Sequence, residues 1–155
     1  MNLIKYKSPL GVISIEESIR GGSVSCVYLP NQKPRIPENP SEFLKDVKSQ
    51  FAEYFKGKRK VFDFTLNFDI CTEFMKSVYE ELLKIPYGET ATYKDIAEHI
   101  GLPKSYRAVG FANNRNPLPI VVPCHRIIGS DGKLVGYAGG IDMKIKLLEL
   151  EKNNL

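Results

Sequence analysis

The 155-residue sequence is poor in metal-binding and disulfide-forming side chains. It has only three cysteines and two histidines, and the cysteines are far apart and never form a Cys-x-x-Cys pair. An odd, scattered set argues against a disulfide framework and favours a reduced, cytoplasmic protein. No zinc-ligand spacing occurs either, so we expect neither a metal nor a cofactor.

Long apolar runs and a strong charge of one sign are also missing. No stretch approaches the length of a membrane span, and residues 1–20 lack the basic-then-apolar layout of a signal peptide. The net charge is only +4, so charge alone does not indicate a nucleic-acid partner. The 43% hydrophobic and 26% charged residues are typical of a globular protein, which we expect to have no contact with a membrane.

Residues 1–68 are predicted to form a small N-terminal α/β domain. Ser41 is placed to cap a helix that ends at Gly57 and covers one face of the strands. Runs rich in β-branched and aromatic residues, separated by turn residues, predict four strands at residues 3–6, 11–15, 23–28 and 61–68.

A composition shift near residues 67–71 marks the start of a second predicted domain, residues 69–155. Thr72 is placed to cap its first helix, which ends before Pro86 and is interpreted as core packing. Apolar spacing predicts a last helix at residues 141–152 that closes the core.

Between the first and the last helix of this domain, the sequence predicts two short helices that meet at Gly101. Together they form a helix-turn-helix motif. Thr92 and Asp95 form a capping-box start for the first of them, and Pro103 is the expected first residue of the second. The second helix of such a motif is the one that meets DNA. We expect its inward residues to be Val109 and Ala112 and its outward residues to be Arg107, Asn113 and Asn114.

Residues 127–135 predict a hairpin with its turn at Asp131-Gly132, a wing beside the helix-turn-helix. The Gly-rich segment 136–140 lets backbone approach a ligand closely. The predicted fold class is therefore α+β, an N-terminal α/β domain followed by a winged helix-turn-helix domain.

The strongest chemical signal is a cysteine at the end of a proline-rich apolar run. Cys124 follows Pro123 and precedes His125 and Arg126. The prolines fix φ and remove backbone donors, so the thiol is held in the rigid frame that a reacting sulfur needs. A proton acceptor and a positive charge beside it are expected to lower its pKa from the value of about 8.5 in free cysteine. The alternative is a buried, inert cysteine.

The order Asn-Pro-x-Pro and then Pro-Cys-His-Arg resembles the active-site signature of the O6-alkylguanine-DNA alkyltransferases, which repair DNA by moving an alkyl group onto their own cysteine. Landmarks from Tyr87-Gly88-Glu89 to Glu151 are similar to the catalytic domain of that family throughout. Residues 1–68 resemble, less specifically, its RNase H-like partner domain. The resemblance implies a single-turnover methyltransferase that acts, without cofactor, on double-stranded DNA carrying O6-alkylguanine. It leaves the oligomeric state open, and a monomer is the simplest expectation. It leaves open whether O4-alkylthymine is accepted.

The resemblance also assigns catalytic roles by motif position. Cys124 would be the alkyl acceptor, and His125 would act as a base through a bound water. Glu151 would hold the His125 ring from the last helix. Asn116 would join the recognition helix to the segment that carries the cysteine.

Other residues are assigned to DNA and to the damaged base. A lesion atom inside a stacked duplex cannot reach a protein thiol, so the nucleotide must be extruded. Arg107 would fill the resulting gap, and Tyr93 would press on the neighbouring phosphate, with further DNA contacts from Asn113 and Asn114. The residues that would line the substrate pocket are Pro119, Ile127, Tyr137, Ala138 and Gly139. Ala138 stands where some members have serine, so only its backbone can donate.

Three other functions stay open at this point. A non-catalytic lesion-recognition protein of the alkyltransferase-like kind would lack the acceptor cysteine, whereas Cys124 is present. A winged-helix transcription regulator would bind DNA through the same helices but leaves Pro-Cys-His-Arg unexplained. A cysteine peptidase would need a histidine that reaches the thiol, and the adjacent His125 is poorly placed for that.

Overall fold

The computed structural model describes residues 1–155. They divide into two compact units, Met1–Phe68 with Asn154 and Asp69–Asn153 with Leu155. Each unit combines helices with strands, which confirms the predicted mixed α+β fold. None of the helices has the length and apolar character needed to cross a membrane.

The first unit is built on an antiparallel sheet with the strand order β1-β2-β3. Its core is lined by fully buried aliphatic side chains such as Ile13 and Ile15. The three N-terminal strands that the sequence predicts are confirmed, with slightly different ends. They span Leu3–Ser8 (β1), Gly11–Glu17 (β2) and Val24–Tyr28 (β3).

The helix of this unit, α1, spans Glu42–Phe55 and packs against β1. Ser41 caps it as predicted, because its hydroxyl oxygen accepts a hydrogen bond from the N–H of Leu44 at 3.2 Å. Gly57 ends the helix with a φ of 74°, which glycine adopts without steric penalty.

The strand predicted at residues 61–68 is wrong. Only an isolated bridge between Val24 and Leu66 forms there. The side chain of Gln50 on α1 accepts a hydrogen bond from the N–H of Asp63 at 2.8 Å and donates one to its carbonyl at 3.1 Å. A buried side-chain amide thus replaces the strand partner that this backbone would otherwise need.

The second unit contains four helices and a pair of two-residue strands. Thr72 caps the first of its helices, and Thr92 and Asp95 form the predicted capping box at the next. The elements are α2 (Glu73–Leu82), β4 (Ala91–Thr92), α3 (Tyr93–His99), α4 (Tyr106–Asn114), β5 (Ile127–Ile128) and α5 (Ile141–Asn153).

Helix α4 begins three residues later than predicted. Pro103 is not its first residue but lies in a turn that the N–H of Ser105 closes on the carbonyl of Leu102 at 2.8 Å. Proline pre-sets φ for the second position of such a turn as readily as for a helix start. Gly101, with a φ of 78°, ends the preceding α3 helix as expected.

The hairpin predicted at residues 127–135 is also wrong as a pair of strands. The turn at Asp131-Gly132 forms, but β5 pairs in parallel with β4 instead of with a returning strand. On the returning arm, the carbonyl of Val135 accepts hydrogen bonds from the side chains of Tyr93 and Lys144. Side chains therefore occupy the acceptor that a ladder would use, and this arm remains a loop.

Candidate active site

The segment that carries Cys124 is held by two asparagines. Asn116 donates to the carbonyl of Val122 at 2.9 Å and accepts from the N–H of Leu118 at 2.9 Å. Asn113, on α4, donates to the carbonyl of Cys124 at 3.3 Å. These side-chain contacts of Asn116 lie within the cysteine segment, and the contact from α4 comes from Asn113, so the role of Asn116 as a connection to the recognition helix stays a prediction. Two amides thus fix the segment without a regular ladder.

Within this segment, Ile120 has a φ of 75°, a value that no other non-glycine residue has in the positive range. A β-branched residue in the left-handed region is strained by about 1–3 kcal/mol. The turn closes through a bond from the N–H of Val122 to the carbonyl of Leu118 at 2.9 Å. Such strain persists only where the surroundings over-determine the backbone, as the two asparagine clamps do.

Cys124 begins a single 3-10 turn and is only 2% exposed. Burial raises the pKa of its thiol to about 11, against smaller opposing effects from an Asn116 hydrogen bond and the charge of Lys144. The prediction that His125 and Arg126 lower the pKa of Cys124 is therefore wrong. Both side chains bind Glu151 instead.

His125 is fully buried and forms a 2.6 Å contact between its Nε2 atom and Oε2 of Glu151. Burial lowers the pKa of His125, so the ring is neutral at pH 7. Because the carboxylate is ionised and accepts, the ring proton lies on Nε2. The other nitrogen, Nδ1, has no hydrogen-bond partner in the protein, which leaves it as a proton acceptor beside the cysteine turn.

Glu151 is the buried centre of a polar cluster. Arg126 forks onto it, with Nε to Oε1 at 2.8 Å and Nη2 to Oε2 at 3.0 Å, and the N–H of Gly88 donates to Oε1 at 3.1 Å. Burial alone would raise the pKa of Glu151, but the hydrogen bonds from His125 and Arg126 and the positive charge of Arg126 outweigh it and hold this pKa well below its usual range. Arg126 also donates to the carbonyl of Ile85 at 2.8 Å.

Lys144 is a functional candidate that the sequence analysis missed. It is fully buried on α5, donates to the carbonyl of Val135 at 3.1 Å, and favours the thiolate of Cys124 electrostatically. Burial lowers the pKa of Lys144 itself. Lys144 precedes Glu151 by seven residues, which is two helical turns, so both lie on one face. That spacing was the available signal.

Replacing Lys144 by methionine is expected to slow alkylation of Cys124 about tenfold at pH 7 and to move the pH dependence to higher pH. The reason is that removing the positive charge raises the pKa of a thiol that must ionise to react. Single-turnover kinetics with free O6-benzylguanine, measured at several pH values, test this. The exposed neighbour Lys146 provides the control, K146M. If K144M were slower by the same factor at every pH, the lost Val135 contact and not the charge would be responsible.

The residues assigned to DNA separate into two groups. Arg107 and Asn114 lie on the exposed face of α4, as predicted. Asn113 does not, since it is buried and faces the cysteine turn. It follows Val109 by one helical turn, which places it on the inward face. Tyr93 begins α3, is half-buried beside α4, and donates to the carbonyl of Val135 at 3.0 Å.

The predicted pocket residues come from three segments of the second unit. Tyr137 is buried, its hydroxyl has no hydrogen-bond partner in the protein, and its pKa is raised well above the usual value by burial and by Cys124. Ala138 and Gly139 follow it and are half-buried. Pro119 and Ile127 are buried before and after the cysteine turn.

Comparison with known proteins identifies the family to which this chain is similar. A family model described as 6-O-methylguanine DNA methyltransferase, DNA binding domain, matches residues 73–153. The methylated-DNA–protein-cysteine methyltransferase of Methanosarcina barkeri is 48% identical over 152 residues, which cover 96% of this chain and 96% of that protein. The protein of the same name from Mycobacterium leprae is 47% identical over 133 residues, covering 85% of this chain and 78% of its own.

Solved structures of proteins with related names are also similar to this chain. The crystal structure of Mycobacterium tuberculosis OGT in complex with DNA is 40% identical, with a TM-score of 0.88, and covers 99% of this chain and 94% of its own. The O6-methylguanine-DNA methyltransferase of Pyrococcus kodakaraensis is 28% identical, with a TM-score of 0.69 over 97% of this chain and 98% of its own. With nearly half of its residues shared over almost its whole length, the chain belongs to the methylated-DNA–protein-cysteine methyltransferase family.

Proposed function

We propose that this protein repairs DNA by transferring the alkyl group of O6-alkylguanine to Cys124, once per molecule and irreversibly. The observation that carries the proposal is the buried cysteine turn, in which Cys124 is followed directly by a buried histidine whose ring is held by an ionised carboxylate. The relatives named for this reaction and the DNA complex of the mycobacterial protein support it.

The chemistry is a displacement at carbon. The sulfur of Cys124 forms a bond to the alkyl carbon as the bond from that carbon to guanine O6 breaks, and the electron pair of the broken bond goes to O6. His125 takes the thiol proton at Nδ1 through a water, and the proton finally resides on the dealkylated guanine, which stays attached to the DNA. Glu151 keeps the ring oriented and stabilises its charged form. The backbone N–H of Ala138 stabilises the charge that develops on O6.

Access to the thiol requires the damaged nucleotide to leave the helix. Helix α4 meets the DNA, and Arg107 occupies the space that the extruded base vacates, while Tyr93 presses on the adjoining phosphate. Asn114 adds a contact from the same exposed face. Extrusion costs a few kcal/mol, which the inserted side chain partly offsets.

The finer architecture follows from the same resemblance. Residues 1–68 form an RNase H-like partner domain, with α1 against the antiparallel sheet, and residues 69–155 form the winged helix-turn-helix domain that binds DNA. The loop at residues 129–135 takes the place of a wing. The protein acts as a monomer in the cytoplasm, where Cys26, Cys71 and Cys124 stay free thiols.

Replacing Arg107 by alanine tests the extrusion step. Repair of O6-methylguanine in duplex DNA is expected to slow about tenfold, whereas reaction with free O6-benzylguanine stays unchanged, because a free base needs no extrusion. Single-turnover rates with both substrates measure this. The exposed Lys152 on α5 gives the control K152A, which removes a positive charge elsewhere. Equal losses with both substrates would rule out the assigned role of Arg107.

A further inference from the structure

Helix α4 carries a large apolar side chain on the face that also carries Arg107. Phe111 is 60% exposed, more than any other aromatic side chain in the chain. It follows Arg107 by four residues and precedes Arg115 by four, so the three side chains form one line along the helix. The guanidinium of Arg115 lies 4.1 Å from the centre of the Phe111 ring.

Phe111 does not contribute to the inward face of α4. Val109 and Ala112 are the buried side chains of that face, and the hydroxyl of Tyr79 on α2 donates a 2.9 Å hydrogen bond to the carbonyl of Ala112. Phe111 therefore lies outside the core and has Arg115 as its ring contact. Aromatic side chains and arginine are the residue types that are enriched at protein interfaces, and here they occur together on an exposed face.

The charge around Phe111 indicates what that molecule is. No aspartate or glutamate occurs between Glu98 and Asp131, whereas exposed Lys104, Arg107 and Arg115 lie in that interval. A basic segment without acidic residues attracts a polyanion, and an apolar side chain within it can pack on the faces of bases. DNA-binding proteins insert phenylalanine between base steps in this way.

We propose that Phe111 is a second wedge, which packs on a base step next to the extruded nucleotide while Arg115 pairs with a flanking phosphate. The proposal rests on the function proposed above, in which α4 meets the DNA. Four residues of helix rise about 6 Å, and successive nucleotides of one strand are about 3.4 Å apart. Phe111 therefore reaches a step about two nucleotides from the one that Arg107 occupies.

A second wedge changes which sequences are repaired fastest. Pyrimidine–purine steps unstack more easily than other steps, so the energy needed to admit Phe111 depends on the neighbouring sequence. The wild-type protein is expected to repair a lesion flanked by such a step faster than the same lesion in a stiff A-tract. The variant F111A is expected to lose most of this difference.

The test compares F111A with I70A, a control that removes an even more exposed apolar side chain (77% exposed for Ile70) from outside α4. Each protein is assayed with O6-methylguanine duplexes that carry the fluorescent base 2-aminopurine two nucleotides to one side or the other of the lesion. Wild type and I70A are expected to raise the fluorescence in one of these duplexes. F111A is expected to give no rise and to repair duplex DNA about tenfold more slowly, with unchanged reaction on free O6-benzylguanine.

Three results would overturn the proposal. If F111A gives the same fluorescence rise and repair rate as I70A, and the wild type repairs the DNA, the proposed wedge is wrong and the proposed function stands. If F111A melts at a lower temperature and slows both substrates equally, Phe111 only braces the end of α4 through Arg115. If the wild type transfers no methyl group, the proposed function fails and the wedge fails with it.

Discussion

Replacing Cys124 by serine is expected to abolish alkyl transfer, below the detection limit of a single-turnover assay, while binding to lesion-bearing duplex DNA persists. A serine hydroxyl does not ionise near neutral pH and is a far weaker nucleophile than a thiolate. Asn113 and Asn116 hold the carbonyl groups of Cys124 and Val122, contacts that a serine leaves in place, so the turn is expected to keep its shape.

The matched control is C71S, since Cys71 is also buried in the same unit but lies outside the cysteine turn. It is expected to transfer at the wild-type rate. Measurable transfer by C124S would show that another group accepts the alkyl group. Equal binding of C124S to damaged and undamaged duplexes of one sequence would instead favour a general DNA-binding protein.

The variant E151Q is expected to lose both stability and rate. Breaking a buried ion pair by neutralising one partner costs about 3–5 kcal/mol, a large part of the about 5–15 kcal/mol that holds a typical protein folded. Arg126 would keep its buried charge without the carboxylate, and the His125 ring would lose the acceptor that orients it. Urea unfolding and single-turnover alkylation measure the two losses, with the exposed Glu149 on the same helix as control (E149Q).

The stability loss in E151Q depends on pH in a defined direction. The pKa of Glu151 is held below its ordinary value of 4.5, so its stabilising contribution is complete above pH 4.5 and is lost as the pH falls through the folded-state pKa. The difference in the free energy of unfolding between wild type and E151Q should therefore be largest at neutral pH and shrink in acid.

An unchanged alkylation rate in E151Q would remove Glu151 from the proton relay. Weakened DNA binding by this variant would contradict the buried position of Glu151.

Local signals in the sequence were sufficient for most helices. Ser41, Thr72 and Thr92 each cap a helix where a short polar side chain precedes an apolar repeat, because the cap depends on neighbours only three residues away. Cys124 was recognisable for a similar reason, because the prolines that make its backbone rigid are close to it in the sequence. Glu151 followed only from the family resemblance, as it meets His125 from 26 residues away.

The errors arose where distant side chains replace backbone partners. Gln50 satisfies the backbone of Asp63, so no strand forms there, and Tyr93 and Lys144 satisfy the carbonyl of Val135, so no hairpin forms. Alternation and turn residues carry no information about such contacts. The pKa of Cys124 was misjudged for the same reason, because burial and the commitment of neighbouring charges to Glu151 depend on the whole unit.

Intact-protein mass spectrometry after incubation with excess O6-methylguanine duplex DNA tests the central claim most directly. A thioether is a poor leaving group for water, and the chain has no redox motif near Cys124 that would regenerate the thiol. We expect every molecule to gain the mass of one methyl group in place of one hydrogen, and peptide mapping to place it on Cys124. Repair of more lesions than protein molecules, or a methyl group on Cys26 or Cys71, would contradict the account.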